Sequence, residues 1–367
     1  MDCLQEATGK TQSFFARTWL IKDPQFMPKK FGQNDVDIEI ECCGVCGSDV
    51  HTINGGWGEA PLPLCVGHEV VGRAIQVGSA VTTVKVGDRV GVGAQVWSCL
   101  ECKQCTSDNE NYCEKMVPTY GGPYPEEVDP RKTMSQGGFA SHIRAHEYFV
   151  FPIPDGIPPE CAAPMMCAGL TVWSPLARAK IGPGKKVAVV GLGGLGHFAV
   201  MFANALGAEV TVISHSAHKR DDAFNLGAKD FVVNDTPGWA KPHRYAFDLV
   251  LNTADMTHQF NVPDYLSLCS IGGAFHQLGV PDAPLPPLSI PALIINGCAI
   301  SGSHIGNRPE CLAMLKLAEQ KQLFPMIETI PISEEGLREA VSRVSKNKVK
   351  YRFVLTGYDS AFSRQVK

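Results

Sequence analysis

The sequence predicts an α/β protein of two domains: a partly open β-barrel-like domain over residues 1–157 and 304–367, and a doubly wound parallel sheet over 158–303. Three observations predict it. Before residue 158, short alternating segments broken by Gly and Pro mark small interrupted strands. After it, apolar strands alternate with helical stretches, the pattern of a parallel sheet. A glycine turn, Gly191-Leu192-Gly193-Gly194-Leu195-Gly196, directly follows KVAVV, where such a sheet carries its ligand. At 367 residues the chain is also longer than one core usually serves.

DVDIEIECC, GHEVVGRAIQVG, DRVGVGAQV and ASHIRAHEYFVFPIP supply the strands of the first domain. In the first of these Val36, Ile38 and Ile40 alternate with polar residues, and Cys42 continues the inward set. From Pro158 on, GKKVAVVGLG, a helix through 194–206, EVTVIS, a helix at 217–226, FVVN, FDLVLNT and GGAFHQLGV build the parallel sheet. Two amphipathic helices follow, ECLAMLKLAEQKQ and SEEGLREAVSRVSKN, and then a last strand, KYRFVLTG. The first domain otherwise lacks helices to cover it, so the tail is expected to return there.

A formal charge of −4 provides no global positive field for nucleic acid or an anionic membrane, and neither partner is expected. No apolar run approaches the ~18 residues that span a bilayer. The acidic N-terminal stretch has no apolar core before a cleavage site, so the expected location is cytoplasmic. There the fourteen cysteines are read as reduced thiols available as ligands. Cys3, Cys43, Cys65, Cys161, Cys269, Cys298 and Cys311 carry no spacing signal and are expected to be buried as small apolar groups.

Cys99, Cys102, Cys105 and Cys113 are spaced C-x2-C-x2-C-x7-C in a polar loop, a closed four-thiolate set suited to structural zinc. An iron–sulfur centre or free thiols are the other options, and an isolated cluster leaves the glycine turn unexplained. Cys46, His68 and Cys167 offer two thiolates and an imidazole, the three protein ligands of a catalytic zinc with an open position. Glu69 can approach such a metal as an exchangeable carboxylate, and Asp49 can hold the other nitrogen of His68.

In the glycine turn, Gly191 permits the tight bend, Gly193 lets the backbone approach a pyrophosphate, and Gly196 allows helix-on-strand packing. No acid stands at the end of EVTVIS to bind the ribose hydroxyl of NAD. Ser214, His215, Ser216 and Lys219 stand there instead, followed by Arg220, so NADP(H) is the expected cofactor. The alternative makes Ser214 or Ser216 an N-cap, with the cations solvated or paired with Asp221 and Asp222.

GHEVVG, the four-cysteine lobe, CAGLTVWSPL and GLGGLG occur in order over most of the chain and resemble the zinc-dependent medium-chain alcohol dehydrogenases. The likeness is strongest to their cinnamyl alcohol dehydrogenase branch, and CGVCGSDVH followed by GGWG resembles its broad-specificity NADP-dependent fungal members. The resemblance implies a GroES-like catalytic domain, a Rossmann domain, two zinc ions per chain and a homodimer joined through Rossmann edge strands. It implies cofactor contacts at Thr171 and Ser303, and Thr253 and Gly279 are placed with them. His215 departs from the serine or arginine often found at its position.

The expected reaction interconverts a primary alcohol and its aldehyde. Zinc polarises the oxygen, NADPH delivers hydride, and Ser48 passes the alcohol proton through the cofactor ribose toward His51. Trp57, Trp97, Tyr120 and Ile305 are the candidates to line an apolar pocket for an aromatic or aliphatic aldehyde. A biosynthetic reductase acting on an iminium or conjugated C=C is the competing enzyme reading, against which Ser48 and His51 weigh. A polyol dehydrogenase is disfavoured by Cys167, and a silent binding protein by the intact ligand set.

Overall fold

The computed structural model describes residues 11–12, 25–254, 260–280, 288 and 290–362; Cys3 lies outside them. The chain divides into two compact units, Met1–Cys167 with Asn307–Lys367, and Ala168–Gly306.

The first unit opens with the short antiparallel pair β1 (Thr11–Gln12) and β2 (Gln25–Phe26). The long β3 (Asp35–Val45) runs straight into α1 (Gly47–Asn54). Then come β4 (Glu69–Val77), β5 (Arg89–Val92), β6 (Gln95–Trp97), β7 (Val117–Pro118), β8 (His142–His146), β9 (Val150–Pro152) and the short α2 (Pro159–Ala162). The alternation read for β3 holds only as far as Ile40. The register against β4 shifts between Ile40 and Cys42, leaving Glu41 as the extra residue, which accepts from Arg73 Nε and Arg89 Nε at 2.9 Å each. Such a bulge turns the following side chains to the opposite face. Cys43 and Val45 therefore join Val36, Ile38 and Ile40 in the core cluster, while Cys42 is buried outside it. Of the thiols expected to be buried, Cys43, Cys65, Cys269, Cys298 and Cys311 are, and Cys161 is partly exposed on α2.

In the second unit α3 (Ala168–Arg178) leads into β10 (Lys186–Val190), α4 (Gly196–Ala205), β11 (Glu209–Ser214), α5 (Arg220–Asn225) and β12 (Asp230–Val233). β13 (Phe247–Asn252), α6 (Val262–Leu268), β14 (Cys269–Gln277), α7 (Pro291–Ile294) and β15 (Ala299–Gly302) follow. The strands form one parallel sheet in the order β12-β11-β10-β13-β14-β15. Its order reverses between β10 and β13, and the glycine turn leaves the carboxyl end of β10 at that switch point. The helix read at 217–226 is split into a 3-10 turn, Ala217–Lys219, and α5.

Past residue 306 the chain re-enters the first unit with α8 (Arg308–Lys321), β16 (Ile327–Pro331), α9 (Glu334–Ser345), β17 (Arg352–Thr356) and α10 (Tyr358–Phe362). β17 pairs antiparallel with β3, giving the order β16-β17-β3-β4-β5-β9 with β8 also on β3. Asn307 caps α8, its Oδ1 accepting from Glu310 N at 2.7 Å while Glu310 Oε2 accepts from Asn307 N at 2.9 Å. The same residues pin the helix to the four-cysteine lobe: Asn307 Nδ2 donates to Asp108 O at 2.7 Å and Arg308 N to Glu110 Oε1 at 2.5 Å. The units divide at 167/168 and 306/307, later than the boundaries at 157/158 and 303/304 read from sequence. Residues 159–166 pack on β3 and β4, with Met165 and Met166 fully buried. No helix among the described residues is long and apolar enough to cross a membrane.

Candidate active site

β3 delivers Cys46 to the N-cap of α1, where the first helical amides need an acceptor. Asp49, three residues on, meets that need, its Oδ2 accepting from Cys46 N at 2.9 Å. Its other oxygen turns inward, 2.9 Å from His68 Nδ1 and accepting from Gly67 N at 3.1 Å. One fully buried carboxylate thus caps the helix and orients the imidazole. The far nitrogen, His68 Nε2, lies 3.1 Å from Cys167 Sγ. Ligand atoms of Cys46, His68, Glu69 and Cys167, all buried, lie within 4.8 Å of one another.

The hydrogen bond with Cys167, ahead of the charges of Arg352 and His68, holds the Cys46 thiol well below its usual range against the cost of burial. The same bond and burial raise Cys167. Burial alone would lower His68, but Asp49 and Cys46 raise it well above the ordinary imidazole value. Burial pushes the Glu69 carboxyl up to about 7 against the pull of Arg352. Two soft thiols, one poised as thiolate, with an imidazole and a carboxylate make a donor set that fits zinc.

The second cluster joins Cys99, Cys102, Cys105 and Cys113, with sulfur separations of 3.5 Å (Cys99–Cys113), 3.6 Å (Cys102–Cys105), 3.9 Å (Cys102–Cys113) and 4.0 Å (Cys99–Cys105). Four sulfurs about 2.3 Å from a common centre form a tetrahedron with edges of about 3.8 Å, so this set also fits zinc. It leaves no open position.

Ser48 and His51 are three residues apart on α1 and share a face. Ser48 Oγ lies 3.8 Å from Cys46 Sγ, and the His51 ring stacks on Trp57 at 4.8 Å with planes 9° apart. The Tyr120 ring lies 5.6 Å from that of His68. Trp97 is partly buried against the core cluster, and Ile305 is a partly buried residue of the second unit.

Gly191 has φ +83°, open to glycine at no steric cost, and its N donates to Ile213 O at 2.8 Å. A Cβ on Gly196 would sit 2.1 Å from Gly191 O, whereas one on Gly193 would meet no protein atom within 4 Å, so the turn is open where a pyrophosphate would approach. Thr253 Oγ1 braces the turn, donating to Val190 O at 2.9 Å and Gly191 O at 3.1 Å. Lys219 Nζ reaches back to Leu192 O at 2.8 Å. Leu195 caps α4 after Gly194. Ser214 ends β11 and is buried, and His215 is exposed. Ser216 stands at a cap position without a side-chain cap bond, its Oγ lying 2.5 Å from His218 Nδ1. Arg220 lies over the Phe231 ring, 5.1 Å from its centroid. Gly279 O accepts from Gln277 Nε2 at 2.6 Å, Ser303 Oγ lies 2.9 Å from His276 Nε2, and Thr171 is partly buried on α3.

Sequence reasoning missed three residues. Arg352 pairs with Glu69 inside the first unit, and a lone arginine opening the apolar strand RFVLT was its only signal. His276 sits between Ser301 and Ser303, with no spacing to announce it. Buried Asn252 ties β13 to Gln277 Oε1 at 2.7 Å, and an amide ending an apolar strand was the available hint.

Residues 32–155 match the family described as alcohol dehydrogenase GroES-like domain, and residues 194–320 the zinc-binding dehydrogenase family. The chain is 43% identical to NADP-dependent alcohol dehydrogenase 6 of Saccharomyces cerevisiae over 93% of its own length and 94% of that protein's. Among solved structures it is similar to a cinnamyl alcohol dehydrogenase of Sorghum bicolor, with TM-score 0.89 and 37% identity over 98% of this chain and 99% of that one. It is also similar to the cinnamyl alcohol dehydrogenase of Helicobacter pylori complexed with NADP(H), with TM-score 0.84 and 33% identity over 95% and 97%.

Proposed function

Because the chain belongs to the zinc-dependent medium-chain alcohol dehydrogenases, in their cinnamyl alcohol dehydrogenase branch, we propose a role for each residue of the two clusters and of the glycine turn. The protein is an NADP(H)-dependent alcohol dehydrogenase and aldehyde reductase, with NADP(H) and zinc as cofactors.

Cys46, His68 and Cys167 hold the catalytic zinc, with Glu69 as an exchangeable fourth group, and Cys99, Cys102, Cys105 and Cys113 hold the structural one. When bound, zinc supplies a Lewis acid for the substrate oxygen and the nicotinamide exchanges hydride. Asp49 keeps a proton on His68 Nδ1, leaving Nε2 free as a donor atom. Ser48 Oγ takes or gives the hydroxyl proton, and His51 exchanges it toward solvent. Gly191 to Gly196 hold the pyrophosphate, with Thr171, Thr253, Gly279 and Ser303 along the cofactor. Ser214, His215, Ser216 and Lys219 select the 2′-phosphate. Trp57 and Tyr120, beside His51 and His68, favour an aromatic or aliphatic aldehyde.

The observation that carries this reading is the buried meeting of Cys46, His68, Glu69 and Cys167 within 4.8 Å. Two features support a homodimer through β15: all four of its residues are exposed, and Ile271, Ile290, Ile294 and Ile295 expose apolar surface in the same unit. Thiol ligands that must stay reduced support a cytoplasmic location.

The test assays aromatic, aliphatic and terpenoid aldehydes with NADPH and NADH beside elemental zinc analysis. Full-rate reduction by zinc-free protein would refute the metal assignment. Ser48→Ala should cost about 10²-fold or more in turnover, and an unimpaired variant would remove Ser48 from the relay.

A further inference from the structure

His276 is buried near the carboxyl end of β14, directly across from Ser301 in the parallel register with β15. Its ring spans two hydroxyls, with Nδ1 2.8 Å from Ser301 Oγ and Nε2 2.9 Å from Ser303 Oγ. Ser301 is an exposed residue of the strand. Ser303 is partly buried and stands one residue past Gly302, where β15 and its ladder end. That is the edge at which a doubly wound sheet takes its ligand. The neighbouring amides there bond to one another and to the main chain: Asn252 Nδ2 donates to Gln277 Oε1 at 2.7 Å, and Gln277 Nε2 to Gly279 O at 2.6 Å.

We propose that His276 is a positioning residue of the cofactor site, its Nε2 holding the Ser303 hydroxyl, which no strand ladder fixes, in the orientation that meets NADP(H). The proposal rests on the reading above that sets Ser303 along the cofactor.

Burying an imidazole among apolar side chains is costly unless its nitrogens are partnered, and here both are. Burial pushes His276 down to about 4, so near neutral pH the ring carries a single N–H. One serine then accepts from it and the other donates to it. Whichever nitrogen holds the proton, one bond of Ser303 Oγ is committed to Nε2, and the remaining capacity of the hydroxyl is left for the ligand.

The experiment measures equilibrium binding of NADPH and NADH to the zinc-loaded enzyme by nicotinamide fluorescence, with urea midpoints reporting the fold. It compares His276→Gln, whose longer amide reaches as far as Nε2, with His276→Asn, whose shorter one reaches only as far as Nδ1. The Gln variant should keep its affinity. The Asn variant should lose roughly three- to tenfold for both nucleotides alike, as for one misdirected hydrogen bond. His276→Leu, which keeps the bulk and removes both bonds, should lose as much, and it carries the comparison if the Asn variant does not fold. In a Ser303→Ala background, itself weakened to a similar degree, the same changes should cost nothing further. Equal losses in the Gln and Asn variants, losses that add to that of Ser303→Ala, or full affinity without His276 overturn the proposal alone. Full affinity in Ser303→Ala overturns the cofactor contact of Ser303 as well.

Discussion

Arg352 and Glu69, 283 residues apart in sequence, form a buried ion pair beside the Cys46–His68–Cys167 cluster. β17 brings the guanidinium there by pairing with β3, the strand that ends at Val45, next to Cys46. Burial drives the Glu69 carboxyl toward its neutral form and Arg352 pulls the other way, leaving it raised to about 7.

Arg352→Met removes the counter-charge of that carboxylate and should cost about 3–5 kcal/mol of stability. Adding Glu69→Gln should recover part of the loss. Urea unfolding of the single and double variants measures both, and a double variant no more stable than the single would show that the cost arises elsewhere.

Asp49→Asn keeps an oxygen for the Cys46 amide but can no longer hold His68 in one tautomer as a charged partner. Zinc affinity should fall about 10–100-fold. A competitive chelator titration with elemental analysis reads the loss, and unchanged retention would deny Asp49 its orienting role.

The parts of the site that were legible depend on local spacing. C-x2-C-x2-C-x7-C identifies the thiol lobe, and a glycine turn after KVAVV needs only its own strand and helix. Arg352 and His276 were not legible, because each acts through a partner brought close only by sheet pairing. Nor was the facing of Cys42 and Cys43, since a bulge at Glu41 resets the period without leaving a sign in the alternation. The division at 167/168 escaped notice because the composition changes at Pro158, ahead of the change in packing.

Lys219→Glu should raise the KM for NADPH far more than that for NADH, because it reverses a charge held over the glycine turn by the bond to Leu192 O. Steady-state kinetics with both nucleotides decides the matter. Equal effects would mean that Lys219 only braces the turn.

Burial pushes His142 and His276 each down to about 4. Their unfolded value is near 6.5, so between about pH 6.5 and pH 4 the unfolded chain binds more protons than the folded one. Stability should therefore be complete above about 6.5 and decline as the solution is acidified toward 4. Denaturant midpoints across that range measure the decline, and His276→Gln should flatten it. A variant as acid-sensitive as the parent would locate the effect in other groups.

The bonds from Asn307 and Arg308 to Asp108 and Glu110 make the cysteine lobe a latch for the returning backbone. A loop remote in sequence from the tail settles where the closing segment takes hold, and that segment carries the arginine that steadies Glu69. Loosening the latch would be felt at the reaction centre by way of the main chain, without any ligand there being touched.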